Sequence, residues 1–335
     1  MNKEKYIKYM IPLSIALSVV VIYAVLALVT LQKEEAPILG ISFSSTYATS
    51  LGLNWRQTYL TLLDELGVKY VRLGSYWDIS MPERDVYDYE ELDWMIQQAE
   101  SRGVHVVLTL GMRQPRWPEC HIPQWAQELE REEFDQELLN FVEKTVMRYK
   151  EYESVEVWQV ENEPLLASFG ECPFTDKKLL EKEIELVRSL DTRPILVTAS
   201  GELSTWRREA NLGDYFGSTL YRKVWVDSFG VKGFWSYWFI PSSWYRIKAF
   251  VMTGGVDRFW IAELQAEPWF NNHPLDTSLE DQYESLSPQQ LKENIAYAVA
   301  VNPRRIYLWG AEWWVYTRNE LETTAIWEVV SDLKW

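Results

Sequence analysis

Two glutamates, Glu163 and Glu263, sit where an acid is badly placed for packing and well placed for chemistry. Each closes a short apolar run. Residues 155–160 lead into Glu161-Asn162-Glu163-Pro164, and Phe259-Trp260-Ile261-Ala262 leads into Glu263. Apolar runs of this length, bounded by polar residues, read as buried strands. Two carboxyl groups facing one another across a cleft are the machinery for breaking a glycosidic bond. One protonates the departing oxygen; the other attacks the anomeric carbon, and water later releases the glycosyl-enzyme. A single strand-end glutamate reads as a surface ion-pair partner, but two of them, with Asn162 beside the first, read as a site. Glu161 reads as a buried network partner. Glu267, followed by Pro268 and Trp269, is the alternative nucleophile, set back in a loop.

The elements that must position these acids alternate along the chain. Strands are expected at 38–43, 70–73, 104–110, 155–161, 194–198, 214–221, 257–263 and 305–309, the sixth interrupted by Gly217. Helical patterns lie between them. Residues 54–66 form one, closed by Gly67; Leu92, Met95, Ile96 and Ala99 form the stripe of the next, closed by Gly103. Ser287-Pro288 opens another that carries Leu291, Ile295 and Ala298, and 323–333 closes the chain. Alternating strands and helices imply a parallel sheet, and eight strands imply a closed (β/α)8 TIM barrel of the α/β class. Catalytic groups of such barrels sit past the C-terminal strand ends. Glu163 then follows the fourth strand and Glu263 ends the seventh. No glycine-rich phosphate loop follows the first strand, so dinucleotide binding loses its main support.

At this point the chain resembles a family. Trp158-Gln159-Val160-Glu161-Asn162-Glu163-Pro164 is similar to the acid/base signature of the (β/α)8 superfamily of retaining glycosidases, which includes cellulase-like and β-galactosidase-like enzymes. The resemblance extends over most of 38–335, including Arg72 to Asp78 and Tyr87-Asp88-Tyr89. It implies Glu163 as acid/base and Glu263 as nucleophile. It also implies Arg72 as a support of the nucleophile, Asn162 as a ligand of the sugar 2-hydroxyl, Tyr221 as a hydrogen-bond donor to the nucleophile, and Trp309 as the floor of the sugar site. Two departures stand out: residues 218–221 read Ser-Thr-Leu-Tyr and lack the usual histidine, and strand three ends Thr109-Leu110-Gly111. The expected activity is hydrolysis of a β-linked glycoside, oligosaccharide or polysaccharide by double displacement. A transglycosylase on the same residues and a catalytically silent carbohydrate-binding barrel are the alternatives.

The 335 residues carry a formal net charge of −16, which argues against nucleic acid as a partner. With 18 Trp and 19 Tyr the chain has faces on which sugar rings could stack, or simply a large aromatic core. Its only histidines, His105, His121 and His273, lack metal-ligand spacing, so no metal and no cofactor is expected. Cys120 and Cys172 follow two successive strands and could pair in an exported domain, or remain free thiols. The loop 112–125, with Arg113, Trp117, His121 and Trp125, lies on the expected catalytic face and could line the sugar cleft, Trp117 above all; packing is the other reading. The aromatic stretch 234–239 reads as core, cleft wall or membrane contact. Residues 9–31 are uncharged and apolar, long enough for a transmembrane helix, and Lys3, Lys5 and Lys8 precede them. The expected organisation is a cytoplasmic tail at 1–8, a signal anchor at 9–31, a polar linker at 32–37, and a catalytic domain at 38–335 outside the cytoplasmic membrane. A cleaved signal peptide is the rival.

Overall fold

A computed structural model describes residues 3–29, 35–202, 204–228, 231–269 and 272–335. Ten strands form: β1 (Ile38–Phe43), β2 (Tyr70–Gly74), β3 (His105–Leu110), β4 (Val155–Val160), β5 (Ile195–Ala199), β6 (Tyr215–Leu220), β7 (Lys223–Ser228), β8 (Val231–Ser236), β9 (Phe259–Gln265) and β10 (Arg305–Trp309). Eight of them close a parallel barrel in the order β1-β10-β9-β6-β5-β4-β3-β2. The other two, β7 and β8, make an antiparallel hairpin between β6 and β9. Sequence patterning did not separate that hairpin, which takes in part of the 234–239 stretch. Trp235, Trp238 and Phe239 there are exposed rather than core.

Parallel strands buried on both faces need apolar residues on both, and each barrel strand is almost wholly buried. Outward residues pack under the helices. Inward ones fill the lower barrel as a plug of Val107, Val157, Leu196, Trp260 and Tyr307, flanked by Tyr70 and Tyr215. Helix starts are fixed by capping: Asn54, Asp176, Ser278 and Ser287 each accept a backbone N–H in the first turn of the following helix. Gly217, which weakened the sixth strand in the sequence, has a packing reason. A Cβ there would lie 2.8 Å from the Ala262 Cβ on β9.

β9 holds a bulge that matters for the site. Ser218 on β6 pairs with Ile261, and the next residue, Thr219, pairs with Glu263, leaving Ala262 as an extra residue. The register with β10 shifts at the same place. In a regular strand, residues three apart face opposite sides. Trp260 lies in the barrel plug and Glu263 bonds inside the barrel mouth. The extra residue lets both point inward, a known use of bulges near active sites.

The N-terminal expectation is corrected. A helix forms over Lys3–Val29, but among the described residues no helix is long and apolar enough to cross a membrane. The helix instead lies against the barrel helix Ser242–Thr253, with the Tyr23 hydroxyl 2.6 Å from Ser243 Oγ. The transmembrane anchor, the membrane partner and the cytoplasmic-membrane location are therefore withdrawn. Residues 32–34 of the expected linker 32–37, residues 30 and 31 of the expected anchor, and the first two residues of the expected tail lie outside the described residues.

Candidate active site

The two glutamates meet at the C-terminal mouth of the barrel, and Thr219 touches both environments. It pairs in register with Glu263, and its hydroxyl lies 3.4 Å from Glu163 Oε1. Glu161 and Glu163 both have positive φ, 60° and 45°, costly for residues with a Cβ and typical of functional turns. Hydrogen bonds impose this shape. Asn162 N donates to Arg113 O at 2.8 Å, and Glu163 N donates to Thr198 Oγ1 at 2.9 Å. Glu161 turns away from the cleft and accepts the backbone N–H groups of Met112 and Arg113, tying β4 to the loop after β3.

Arg72, fully buried on β2, organises the centre with every nitrogen of its guanidinium. Nε donates to Gln159 Oε1 at 2.7 Å, Nη1 to Glu263 Oε1 at 2.9 Å, and Nη2 to Asn162 Oδ1 at 2.6 Å. The Tyr221 hydroxyl donates to the other oxygen of Glu263 at 3.0 Å. Both oxygens of Glu263 are thus met by donors, one of them charged. Glu163 has the opposite setting. Burial, and next the charge of Glu263, push its carboxyl up to about 8, against the weaker pull of Arg113 and Arg72. Two chemically identical groups thus have unlike surroundings: Glu263 faces two donors, and Glu163 is buried with a threonine hydroxyl beside it.

Of the remaining residues singled out in the sequence, Tyr221 and Asn162 lie in this network, and Trp309 is buried at its edge. One face of Trp309 is covered by Arg116, whose guanidinium carbon is 4.2 Å from the indole centre. Trp117 is not brought in; it is 61% exposed and packs on Phe169 at the rim. Glu267 is ion-paired with Arg116, which also reaches Glu312 at 2.9 Å. Arg113 is buried and braces the turn after β4 through the carbonyls of Asn162 and Leu166, at 3.1 and 2.8 Å. Cys120 and Cys172 are joined by a disulfide, with Cα atoms 5.2 Å apart. Among the described residues no group of three or more His, Cys, Asp or Glu could hold a metal ion.

Sequence reasoning missed Glu119, Arg116, Gln159, Thr219 and Glu312. Glu119 and Arg116 lie in the loop 112–125 already assigned to the catalytic face, but nothing in their spacing told them from surface charges. Gln159 and Thr219 carry an interior parity that becomes readable only once the strand register is known.

Residues 53–178 match the family model described as Beta-galactosidase. That segment holds Arg72, Asn162 and Glu163 and ends before Tyr221, Glu263 and Trp309. Beta-galactosidase Bga of Halorubrum lacusprofundi is 27% identical over 127 residues, which are 32% of this chain and 18% of that protein. The chain therefore spans well under half of the curated relative's length. Among solved structures, a GH5_18 protein from Streptomyces cattleya in complex with GlcNAc is 13% identical, with a TM-score of 0.57 over 83% of this chain and 71% of that one. The native xylanase 10B of Thermotoga maritima is 17% identical, with a TM-score of 0.54 over 82% of this chain and 83% of that one. At such identities the solved structures speak for the fold alone. The chain resembles the glycoside hydrolases built on a (β/α)8 barrel. Within that class, its sequence likeness is to proteins named as β-galactosidases.

Proposed function

We propose that the protein is a retaining glycoside hydrolase acting on a β-linked glycoside or oligosaccharide, with Glu163 as general acid/base and Glu263 as nucleophile. The observation that carries this is the opposed setting of two buried glutamates on facing strands. Glu163 is held protonated by burial and by its neighbour, while Glu263 is satisfied by Arg72 and Tyr221. In the first step the Glu163 proton passes to the glycosidic oxygen as the C–O bond breaks, and a Glu263 oxygen bonds to the anomeric carbon. In the second, Glu163, now ionised, takes a proton from water, whose oxygen displaces Glu263 and regenerates both groups. Arg72 and Tyr221 orient Glu263 and receive its charge back as it leaves. The likeness to proteins named as β-galactosidases supports the choice of β-configured substrates, with galactosides the first to try.

The test is turnover of a panel of aryl β-glycosides, galactosides included, followed by product stereochemistry in the first minutes of reaction. Release of the β-anomer supports double displacement. Release of the α-anomer indicates inversion, and absence of turnover with retained sugar binding indicates a silent barrel.

A further inference from the structure

A third buried carboxyl group faces the pair. Glu119 lies in the loop after β3, one residue before Cys120, whose disulfide reaches Cys172 in the loop after β4. Several contacts fix its stem. Its backbone holds a φ of 71°, its N–H donates to Arg116 O at 2.8 Å, and its carbonyl accepts Gln114 N–H at 2.7 Å. The partner loop closes on the same spot: Glu171 N donates to Pro118 O at 2.9 Å, and Gly170 passes so near that a Cβ on it would lie 2.6 Å from the Glu119 Cβ. Gly170 itself has a φ of 84°, open to glycine at little cost. The side chain is thus driven inward and is only 5% exposed. There Oε2 accepts a hydrogen bond from Asn162 Nδ2 at 3.1 Å, and Asn162 Oδ1 in turn accepts from Arg72.

Structure alone does not account for an acid here. Burial first, then Glu263 and Glu163, raise its carboxyl well above the usual range, so the group stands within electrostatic reach of both reacting acids and opposes folding at neutral pH. A glutamine would keep the bond to Asn162 without that cost. What an acid adds is hydrogen-bonding capacity toward a ligand rich in hydroxyls, beside an asparagine that is already engaged at both ends.

We infer that Glu119 is a specificity-determining residue that hydrogen-bonds one hydroxyl of the sugar ring seated between Glu163 and Glu263, and that the disulfide-closed loop pair positions it. This rests on the reading of Glu163 and Glu263 as the reacting pair. The experiment compares the 335-residue chain with its Glu119→Ala and Glu119→Gln variants on an aryl β-glycoside and its monodeoxy analogues. Both turnover and equilibrium binding, by tryptophan fluorescence, are followed. Glu119→Ala is expected to lower kcat/KM and affinity roughly tenfold to a hundredfold on the parent sugar, and to lose little or nothing on the one analogue that lacks the hydroxyl Glu119 reads. Glu119→Gln, nearly isosteric and uncharged, is expected to retain the fold and show the same analogue pattern in weaker form. The Cys120→Ser/Cys172→Ser double variant is expected to raise KM with less effect on kcat. An unchanged ratio between variant and wild type across every analogue overturns the inference. Binding that depends on Glu119 without any turnover would sustain it while overturning the proposed reaction. Absence of binding to every member of the panel would overturn both.

Discussion

Glu163 and Glu263 bear the same functional group, and their neighbours differ. Glu263 is bonded to a guanidinium and a phenol, whereas Glu163 meets a threonine hydroxyl and a nearby negative charge. With Glu163 as the proposed proton donor, kcat/KM should fall on the alkaline side with a midpoint near pH 8. Glu163→Gln should reduce kcat/KM by about 10²- to 10⁴-fold on substrates with poor leaving groups and remove that alkaline limb. A pH–rate profile on both proteins checks this; a limb that survives the substitution belongs to another group. The same group has a stability consequence. Folded, it keeps its proton up to about pH 8; unfolded, it releases it near its ordinary 4.5. Folding takes up a proton between those values, so stability falls as pH rises through that window. Thermal scans of Glu163→Gln against wild type should show no gap near pH 4 and a higher Tm for the variant near pH 8. A gap that does not change with pH contradicts the assignment.

Strands, rather than loops, set the precision of the centre. Arg72, Gln159, Thr219 and Glu263 all project from barrel strands, so their spacing is fixed by register. The β9 bulge is the least regular part of that frame, and Gly217 is the residue that makes room beside it. Gly217→Val should cost about 1–3 kcal/mol by overpacking against Ala262, measured by chemical denaturation, and should lower kcat by shifting Glu263. Loss of stability with unchanged kcat would show that the bulge tolerates the shift. These elements also show what the sequence could and could not reveal. Eight strands with helices between them were legible from period and caps, and that count placed the two glutamates on the fourth and seventh barrel strands. The bulge was not legible, because an extra residue leaves no trace in an unbroken apolar run such as 259–262. The 257–263 expectation consequently stopped short of the observed strand, which continues through Leu264 to Gln265. The β7–β8 hairpin was missed because its short strands mix aromatics, Trp235 among them exposed, with Lys223 and Lys232 and so lack a clear two-residue alternation.

At the scale of the molecule, the net charge of −16 disfavours a polyanion as ligand. The helix Lys3–Val29 meets the barrel along the helix Ser242–Thr253, away from the catalytic network. A chain beginning at Ala36 should therefore unfold cooperatively and keep kcat/KM within about twofold of the 335-residue chain. A larger loss would mean that the helix supports the barrel mouth. The N-terminal run was read from its length and apolarity, which do not say what it packs against; here it lies along another helix. The central claim is the division of labour between two glutamates, and one measurement addresses it directly. Incubation with an activated 2-deoxy-2-fluoro β-glycoside, then proteolysis and mass spectrometry, locates the covalent glycosyl group. The account predicts a single label on Glu263, in wild type and in Glu163→Gln alike when the leaving group is activated. A label on Glu267, Glu163 or any other residue would contradict it.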